Sequence, residues 1–385
     1  MLKQSSDIWT VGAYDRVNYG DLLFPLILSR AGQNMGIQPM LHCALRTVDL
    51  QEIGGPTVTG LRQALESCAP PKAIIVAGGE VLSATWSQVL MGYLPYPLDL
   101  AVRVGRRAAG RSLADSTARL ALRGVWRSPY VPDLSTSRRA RVVLNSVGAS
   151  SVLNLARADL SGLGRTLSNA AYISVRDKSG LAALKSIGIS AELAPDSAAV
   201  VGELWSVPKD RSRNTLVVQC EYDWFRRNPS FGRAVADASR RFEDVVLLPI
   251  GLAGGHSDQV ALRHVARALD RSHIRYRWVE TSTDISKIST TISNASMFVG
   301  TSLHGAITAL AHATPSVALG GIGKLSAYVS TWAEGLVPRD VAPDRLESAL
   351  DCAQRMPPHR RETLALELAG LARNNSLRVL DAASS

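Results

Sequence analysis

A histidine set among hydroxyls and glycines, in Gly300-Thr301-Ser302-Leu303-His304-Gly305, has the makings of a proton-transfer site beside an anion. Imidazole is the side chain whose ordinary pKa lies nearest neutrality. Met297-Phe298-Val299 before it reads as a buried strand, and Ile307, Leu310 and Ala311 after it share one helical face. The spacing therefore puts His304 where a strand hands over to a helix. Helix amides there attract anions and disfavour an imidazolium. In open α/β sheets the carboxyl end of a strand is also where ligands bind. His304 is the candidate general acid/base for a phosphorylated substrate, with Ser302 and Gly305 beside it on the side of the phosphate.

Five other motifs fall at strand ends. Asn18-Tyr19-Gly20-Asp21 offers a tight turn, with Asp21 as the cap of a long helix and free helix amides for an oxyanion. Gly78-Gly79-Glu80 lets a ligand approach the backbone and puts a carboxylate at the mouth of a crevice. In Tyr172-Ile173-Ser174-Val175-Arg176-Asp177, alternation brings Arg176 to the carboxyl end of its strand, a fork of donors for a carboxylate or phosphate. Pro195-Asp196 aims a carboxylate the same way. Gly320-Gly321-Ile322-Gly323-Lys324 suits a phosphate-facing loop with Lys324 as a point charge, although it lacks P-loop spacing. His256 could reach a ligand across the cleft, and Asp258 reads as the cap of the next helix. Each motif also has a plain structural reading: a capped turn, a glycine turn, or an Arg–Asp pair. His42 and His312 read as structural.

The elements that must position these residues alternate throughout. Strands are expected at Ile8–Val11, Ala73–Ala77, Val142–Ser146, Tyr172–Val175 and Ala191–Leu193. A second series covers Leu216–Gln219, Val245–Leu248, Tyr276–Val279, Met297–Val299 and Ser316–Leu319. Helical patterns lie between them, such as Leu22–Met35, Leu181–Ile187, Gln259–Leu269 and Ile285–Asn294. Alternating βα units imply parallel sheets with helices on both faces. The expected architecture is α/β, with two Rossmann-like domains over residues 1–205 and 214–343. The linker falls at the polar, proline-bearing stretch from Trp205 to Asn214. Residues 344–385 form helices that pack across the domain seam.

The bulk composition narrows the partners. In 385 residues, 43 basic side chains oppose 33 acidic ones, a net charge of +10 that favours anionic partners. Aromatic content of 5% is low for a base-stacking protein, so nucleic acid ranks below small anions and membrane surfaces. Four cysteines, Cys43, Cys68, Cys220 and Cys352, form no metal spacing, and three of them lie in or beside apolar segments. Reduced thiols and a cytoplasmic location are expected, with no metal. The amino-terminal residues lack the apolar core of a signal peptide, and the longest apolar runs fall short of a spanning helix. One insertion, about 103–141, carries ten arginines against Asp115 and Asp133, with a helix between Arg111 and Arg123. It is either a solvated surface or a patch for an anionic membrane at the inner face of the plasma membrane.

Taken in order, Asn18–Asp21, Ala77-Gly78-Gly79, Val147-Gly148, Ser174–Asp177, Pro195-Asp196 and Ser302–Gly305 with Pro315 resemble the polysaccharide pyruvyl transferase family. The set spans residues 12 to about 325. The resemblance implies a GT-B-like fold with the site in the interdomain cleft. It also implies transfer of the pyruvyl group of phosphoenolpyruvate, as co-substrate and with no other cofactor, onto two hydroxyls of a sugar as a ketal. The acceptor would be an exopolysaccharide or cell-surface glycan precursor, lipid-linked oligosaccharides included. His304 and Arg176 would be catalytic. Ser302, Gly305, Lys324 and His256 would serve the donor, and Asn18, Asp21, Gly78, Gly79, Glu80 and Asp196 the acceptor. Three departures stand out: Ser302 occupies the place of an arginine in many members, Glu80 that of a glycine, and Gly320–Lys324 matches only loosely. A GT-B glycosyltransferase with a nucleotide-sugar donor is the alternative, and a nucleic-acid-binding protein ranks behind both.

Overall fold

The computed structural model describes residues 6–94, 102, 106–107, 110–137, 139–205, 213–251, 258–280 and 284–385. His256, Arg103, Arg138 and most of the expected linker lie outside them. Two sheets organise the chain. The first contains β1 (Ile8–Val11), β2 (Leu41–Ala44), β3 (Val48–Asp49), β4 (Thr57–Gly60), β5 (Ala73–Ala77), β6 (Arg141–Val147), β7 (Tyr172–Val175) and β8 (Glu192–Leu193), in the order β3-β4-β2-β1-β5-β6-β7-β8. All its pairings are parallel except β3 with β4. The second contains β9 (Thr215–Val218), β10 (Asp244–Leu247), β11 (Arg277–Trp278), β12 (Met297–Gly300) and β13 (Ser316–Ala318). Its order is β11-β10-β9-β12-β13, wholly parallel. This is the doubly wound α/β architecture that the alternating pattern implies. The β2–β4 edge has no counterpart in the alternating pattern, because those strands are only two to four residues long.

The strand order determines where a ligand can sit. In the first sheet the chain leaves β1 toward β2 on one side and returns to β5 on the other. In the second it leaves β9 toward β10 and returns to β12. Each reversal opens a crevice at the carboxyl ends of the two central strands. The two crevices face each other. An isolated antiparallel bridge joins Asn18, after β1, to Gly251, after β10.

The halves share one apolar core. Leu22, Leu23, Phe24 and Ile27 of the helix Tyr19–Asn34 belong to the same buried cluster as Phe298 of β12 and Leu303 and Ile307 of the helix Leu303–Ala311. The carboxyl-terminal helix Pro358–Ser384 joins that cluster through Leu368, Val379 and Leu380, and packs onto the first sheet. Its Asn375 amide donates to Asn145 Oδ1 at 2.9 Å and Ser146 Oγ at 3.0 Å, and accepts from the Tyr172 hydroxyl at 2.9 Å. Ser146 stands at φ +47° where the register between β6 and β7 shifts, a bulge that re-aims the end of β6. Among the described residues no helix is long and apolar enough to cross a membrane.

Candidate active site

The cleft between the two crevices has a volume of about 1280 Å³ and is lined from both sheets. From the second sheet it receives Gln219 and Glu221 after β9, Thr301 to His304 after β12, and Lys324 after β13. From the first it receives Arg16, Asn18 and Asp21 after β1, and Gly79 and Glu80 after β5. Arg106, Arg107 and Arg111 of the arginine-rich insertion also line it.

His304 is held on every side. It is the second residue of its helix, which Ser302 caps by accepting the Gly305 amide at 3.1 Å. Its carbonyl accepts from Thr308 Oγ1 at 2.7 Å, and Thr308 in turn lies 3.0 Å from the buried Tyr19 hydroxyl across the cleft floor. The ring lies flat on Gly20: a Cβ there would stand 1.7 Å from Nδ1. Phe24 presents its edge at a centroid distance of 6.0 Å. His304 Nε2 lies 3.6 Å from Asp196 Oδ2, and the side chain stays 14% exposed toward the cleft. The glycine of the Asn18–Asp21 turn is therefore required by the imidazole above it.

The loop carrying the histidine hangs from Gln219. Its Oε1 accepts from the Thr301 and Ser302 amides, both at 2.9 Å, and its Nε2 donates to Asp258 Oδ2 at 2.9 Å. The same Asp258 oxygen accepts the Ile250 and Gly251 amides at 2.9 Å each. Burial pushes the Asp258 carboxyl up to about 6, against the pull of those donors. Gly300 leaves room for this arrangement, since a Cβ there would meet Gln219 Oε1 at 2.8 Å. Gln219 escaped the sequence reading, although a polar residue directly after a buried strand was a usable signal. Asp258, expected as a helix cap, ties two loops together instead.

Opposite the histidine runs a charge ladder that follows from strand order. Glu80, Gly148, Arg176 and Asp196 follow β5, β6, β7 and β8, four consecutive neighbours in the sheet. Gly148 has no side chain, so Glu80 reaches across it: a Cβ would sit 2.5 Å from Glu80 Oε1 and 2.8 Å from Arg176 Nη2. Arg176 donates to Glu80 Oε1 at 3.2 Å and faces Asp196 Oδ2 at 3.5 Å, with only 1% of its side chain exposed. Burial works against its charge, but Glu80, Asp196 and Asp177 outweigh it and raise its pKa. Burial also pushes Asp196 up, yet the His304 ring, Arg176 and the Ala198 amide outweigh it and hold the carboxyl below its usual range. Trp332 Nε1 clamps the Arg176 carbonyl at 2.7 Å from the second half of the chain.

Several sequence-picked residues therefore stand elsewhere than expected. Arg176 is no free fork, because two carboxylates already face its terminal nitrogens. Asp196 does not line the cleft with the acceptor side; it is fully buried behind His304. Gly305 faces the core, where a Cβ would meet Phe298 at 2.6 Å and Ile250 at 2.9 Å, and its amide is spent on Ser302. Gly78, at φ +68°, packs against the Phe24 ring, whereas Gly79, at φ +66°, lines the cleft beside Asp21. Asn18, and not Asp21, is at the N-cap of the first helix, and its amide donates to Asp21 Oδ2 at 2.8 Å. Burial raises the Asp21 carboxyl above its usual range, against the pull of Arg16, His304, Lys324 and Arg176. Lys324 is exposed in the first turn of the helix Gly323–Trp332. Arg16, which the sequence did not single out, donates to the Tyr130 hydroxyl at 3.1 Å and has no ion pair among the described residues. His42 bridges Thr10 and Ser29 hydroxyls and His312 bonds Ser289, away from the cleft.

The cleft thus joins one partly exposed imidazole, a carboxylate able to hold a proton, and unspent cations. Proton transfer on an anionic substrate is the chemistry that this set supports. A family model described as polysaccharide pyruvyl transferase matches residues 114–321, more than half of the chain. No curated protein sequence matches it. Among solved structures, the UDP-GlcNAc 2-epimerase from Neisseria meningitidis bound to UDP-GlcNAc is similar at 9% identity, covering 98% of each chain with a TM-score of 0.53. S. aureus MnaA with UDP is 13% identical, covering 97% of this chain and 95% of its own, also at 0.53. The UDP-N-acetylglucosamine 2-epimerase from Rickettsia bellii is 9% identical over 97% and 96%, again at 0.53. At these identities the likeness is one of fold, of the GT-B type.

Proposed function

Because the chain belongs to the polysaccharide pyruvyl transferase family, we propose that it moves the pyruvyl group of phosphoenolpyruvate onto two hydroxyls of a sugar in a glycan precursor. The product is a ketal, and phosphate is released. Ketal formation needs the methylene carbon of the enol protonated, so that the adjacent carbon becomes cation-like and takes the first hydroxyl oxygen. The carbon–oxygen bond to phosphate then breaks as the second hydroxyl closes the ring. One hydroxyl proton ends on the methyl group and the other departs with phosphate.

His304 is the acid/base of this reading. Its ring is fixed by Gly20, Phe24 and Asp196, and the residue lines the cleft. Lys324 and the amide ends of the flanking helices attract the phosphate. Asp21, steadied by Asn18, orients an acceptor hydroxyl. Arg176 acts through others: by holding Glu80 and Asp196 it sets the ring and the cleft wall. The observation that carries the reading is the position of His304 where the switch points of both sheets meet.

The test is phosphate release from phosphoenolpyruvate against a panel of galactosides, mannosides, glucosides and N-acetylhexosamines. Release that depends on one acceptor and is lost in His304→Ala supports the assignment. Untouched release in that variant overturns the role of His304. Thermal stabilisation by UDP and none by phosphoenolpyruvate favours a nucleotide-sugar donor instead.

A further inference from the structure

The helix Arg111–Ala121 has one face committed and one face bare. Asp115 Oδ1 accepts the Ser87 amide at 2.9 Å, and Ala118 is buried against the helix Trp86–Tyr93. Opposite them, Leu113 and Leu120 lie seven residues apart, two turns along the same side, and are 59% and 79% exposed. Leu120 is the most exposed large apolar side chain among the described residues. The segment that carries this helix is strongly basic, with ten arginines against two acids over residues 103–141. Arg107, Arg111, Arg123 and Arg139 are exposed, and Arg119 is half-buried. The acids of the segment are turned to other work: Asp115 holds Ser87, and Asp133 accepts the Arg127 amide at 2.8 Å. Arg106, Arg107 and Arg111, at the start of this helix, also line the cleft.

We propose that this helix is a docking surface for an anionic lipid bilayer, with Leu113 and Leu120 entering the acyl boundary and the arginines meeting the head groups. Charge complementarity commits the face to lipid: two exposed leucines on a helix whose two ends carry the exposed Arg111 and Arg123 suit an apolar layer capped by anions. Docking there brings the rim of the cleft to the membrane surface, where a lipid-borne acceptor would be within reach. The proposal does not depend on the pyruvyl chemistry, since it is read without substrate.

The experiment is flotation of the full chain with phosphatidylcholine vesicles, with and without phosphatidylglycerol. Binding is expected only with the anionic lipid, and to weaken as salt rises. The variant Leu113→Ser/Leu120→Ser should lower partitioning on the order of tenfold or more at unchanged net charge and unchanged circular dichroism. Arg123→Gln/Arg139→Gln should lower it as well. In a second measurement, Leu120→Trp should be quenched by brominated anionic lipids beyond the parent chain. Equal binding to neutral vesicles, full binding by the leucine variant, or no added quenching in Leu120→Trp overturns the proposal. Phosphate release on a water-soluble acceptor should be the same in the leucine variant as in the parent.

Discussion

Exchanging Gly20 for alanine separates the position of the imidazole from the stability of the fold. The residue sits in the first turn of a helix at an ordinary backbone angle, so alanine is locally welcome and favours the helix by about 1 kcal/mol. The added carbon, however, would lie 1.7 Å from His304 Nδ1 and 2.2 Å from Cγ and Cε1. Ordinary contact begins near 3.4 Å, so the ring must retreat by about 1.7 Å. Asp196 and Phe24 flank it, and any retreat breaks its alignment with them. A displacement of about 1 Å can cost about a hundredfold in rate, so phosphate release should fall by at least that factor. Overpacking costs about 1–3 kcal/mol, partly offset by the helix gain, so the melting temperature should move only a few degrees. Paired measurements of phosphate release and calorimetric Tm decide it. Activity within twofold of the parent would refute the placement of the ring. The double variant Gly20→Ala/His304→Ala should be no worse than His304→Ala alone, because both remove one function.

Three further outcomes follow from the same contacts. Asp196→Asn removes the anion beside His304 and one of the two partners of Arg176, so phosphate release should drop by about two orders of magnitude or more, and the urea midpoint should fall as a buried ion pair is broken. Asp258 has a folded pKa near 6, above its ordinary 3.8, so the native state holds that proton more tightly than the unfolded chain. Its contribution is therefore fully present below pH about 4 and is lost as pH rises through 6. The unfolding free energy of the parent, relative to that of the non-titrating Asp258→Asn, should therefore fall by up to about 3 kcal/mol across that window in urea titrations. Asn375→Leu strands the polar groups of Asn145, Ser146 and Tyr172 that meet it, at about 1–3 kcal/mol, and should speed proteolysis of the carboxyl-terminal helix.

What the chain discloses on inspection is the set of strand ends. Buried runs such as Ala73–Ala77 and Tyr172–Val175 are legible because both faces of a parallel strand are apolar. The residues that follow them, Asn18, Glu80, Arg176, Asp196 and Ser302, are then placed by chain order alone. Their partners are not. Glu80 and Arg176 lie 96 positions apart and meet only because a glycine, Gly148, follows β6 between them. Gln219 and Asp258 look like a strand-end amide and a helix cap until the sheet order brings them to one loop. Pattern reading registers what one element requires, whereas these residues answer to two.

The same reasoning bears on Ser302, where the family resemblance implies an arginine. Here the serine hydroxyl caps the helix of His304, and its amide is held by Gln219. An arginine at this position would forfeit the cap, about 1 kcal/mol, while adding a charge two residues from the imidazole. Arg176 cannot take over as a free donor, since Glu80 and Asp196 already face it. Lys324 and Arg16 line the cleft without ion pairs among the described residues, and both act electrostatically on Asp21. Cationic charge in the cleft therefore stands on Lys324, after β13, and on Arg16, after β1, and not on the histidine loop itself. Charge placed there leaves intact the hydrogen bonds that hold the loop in place.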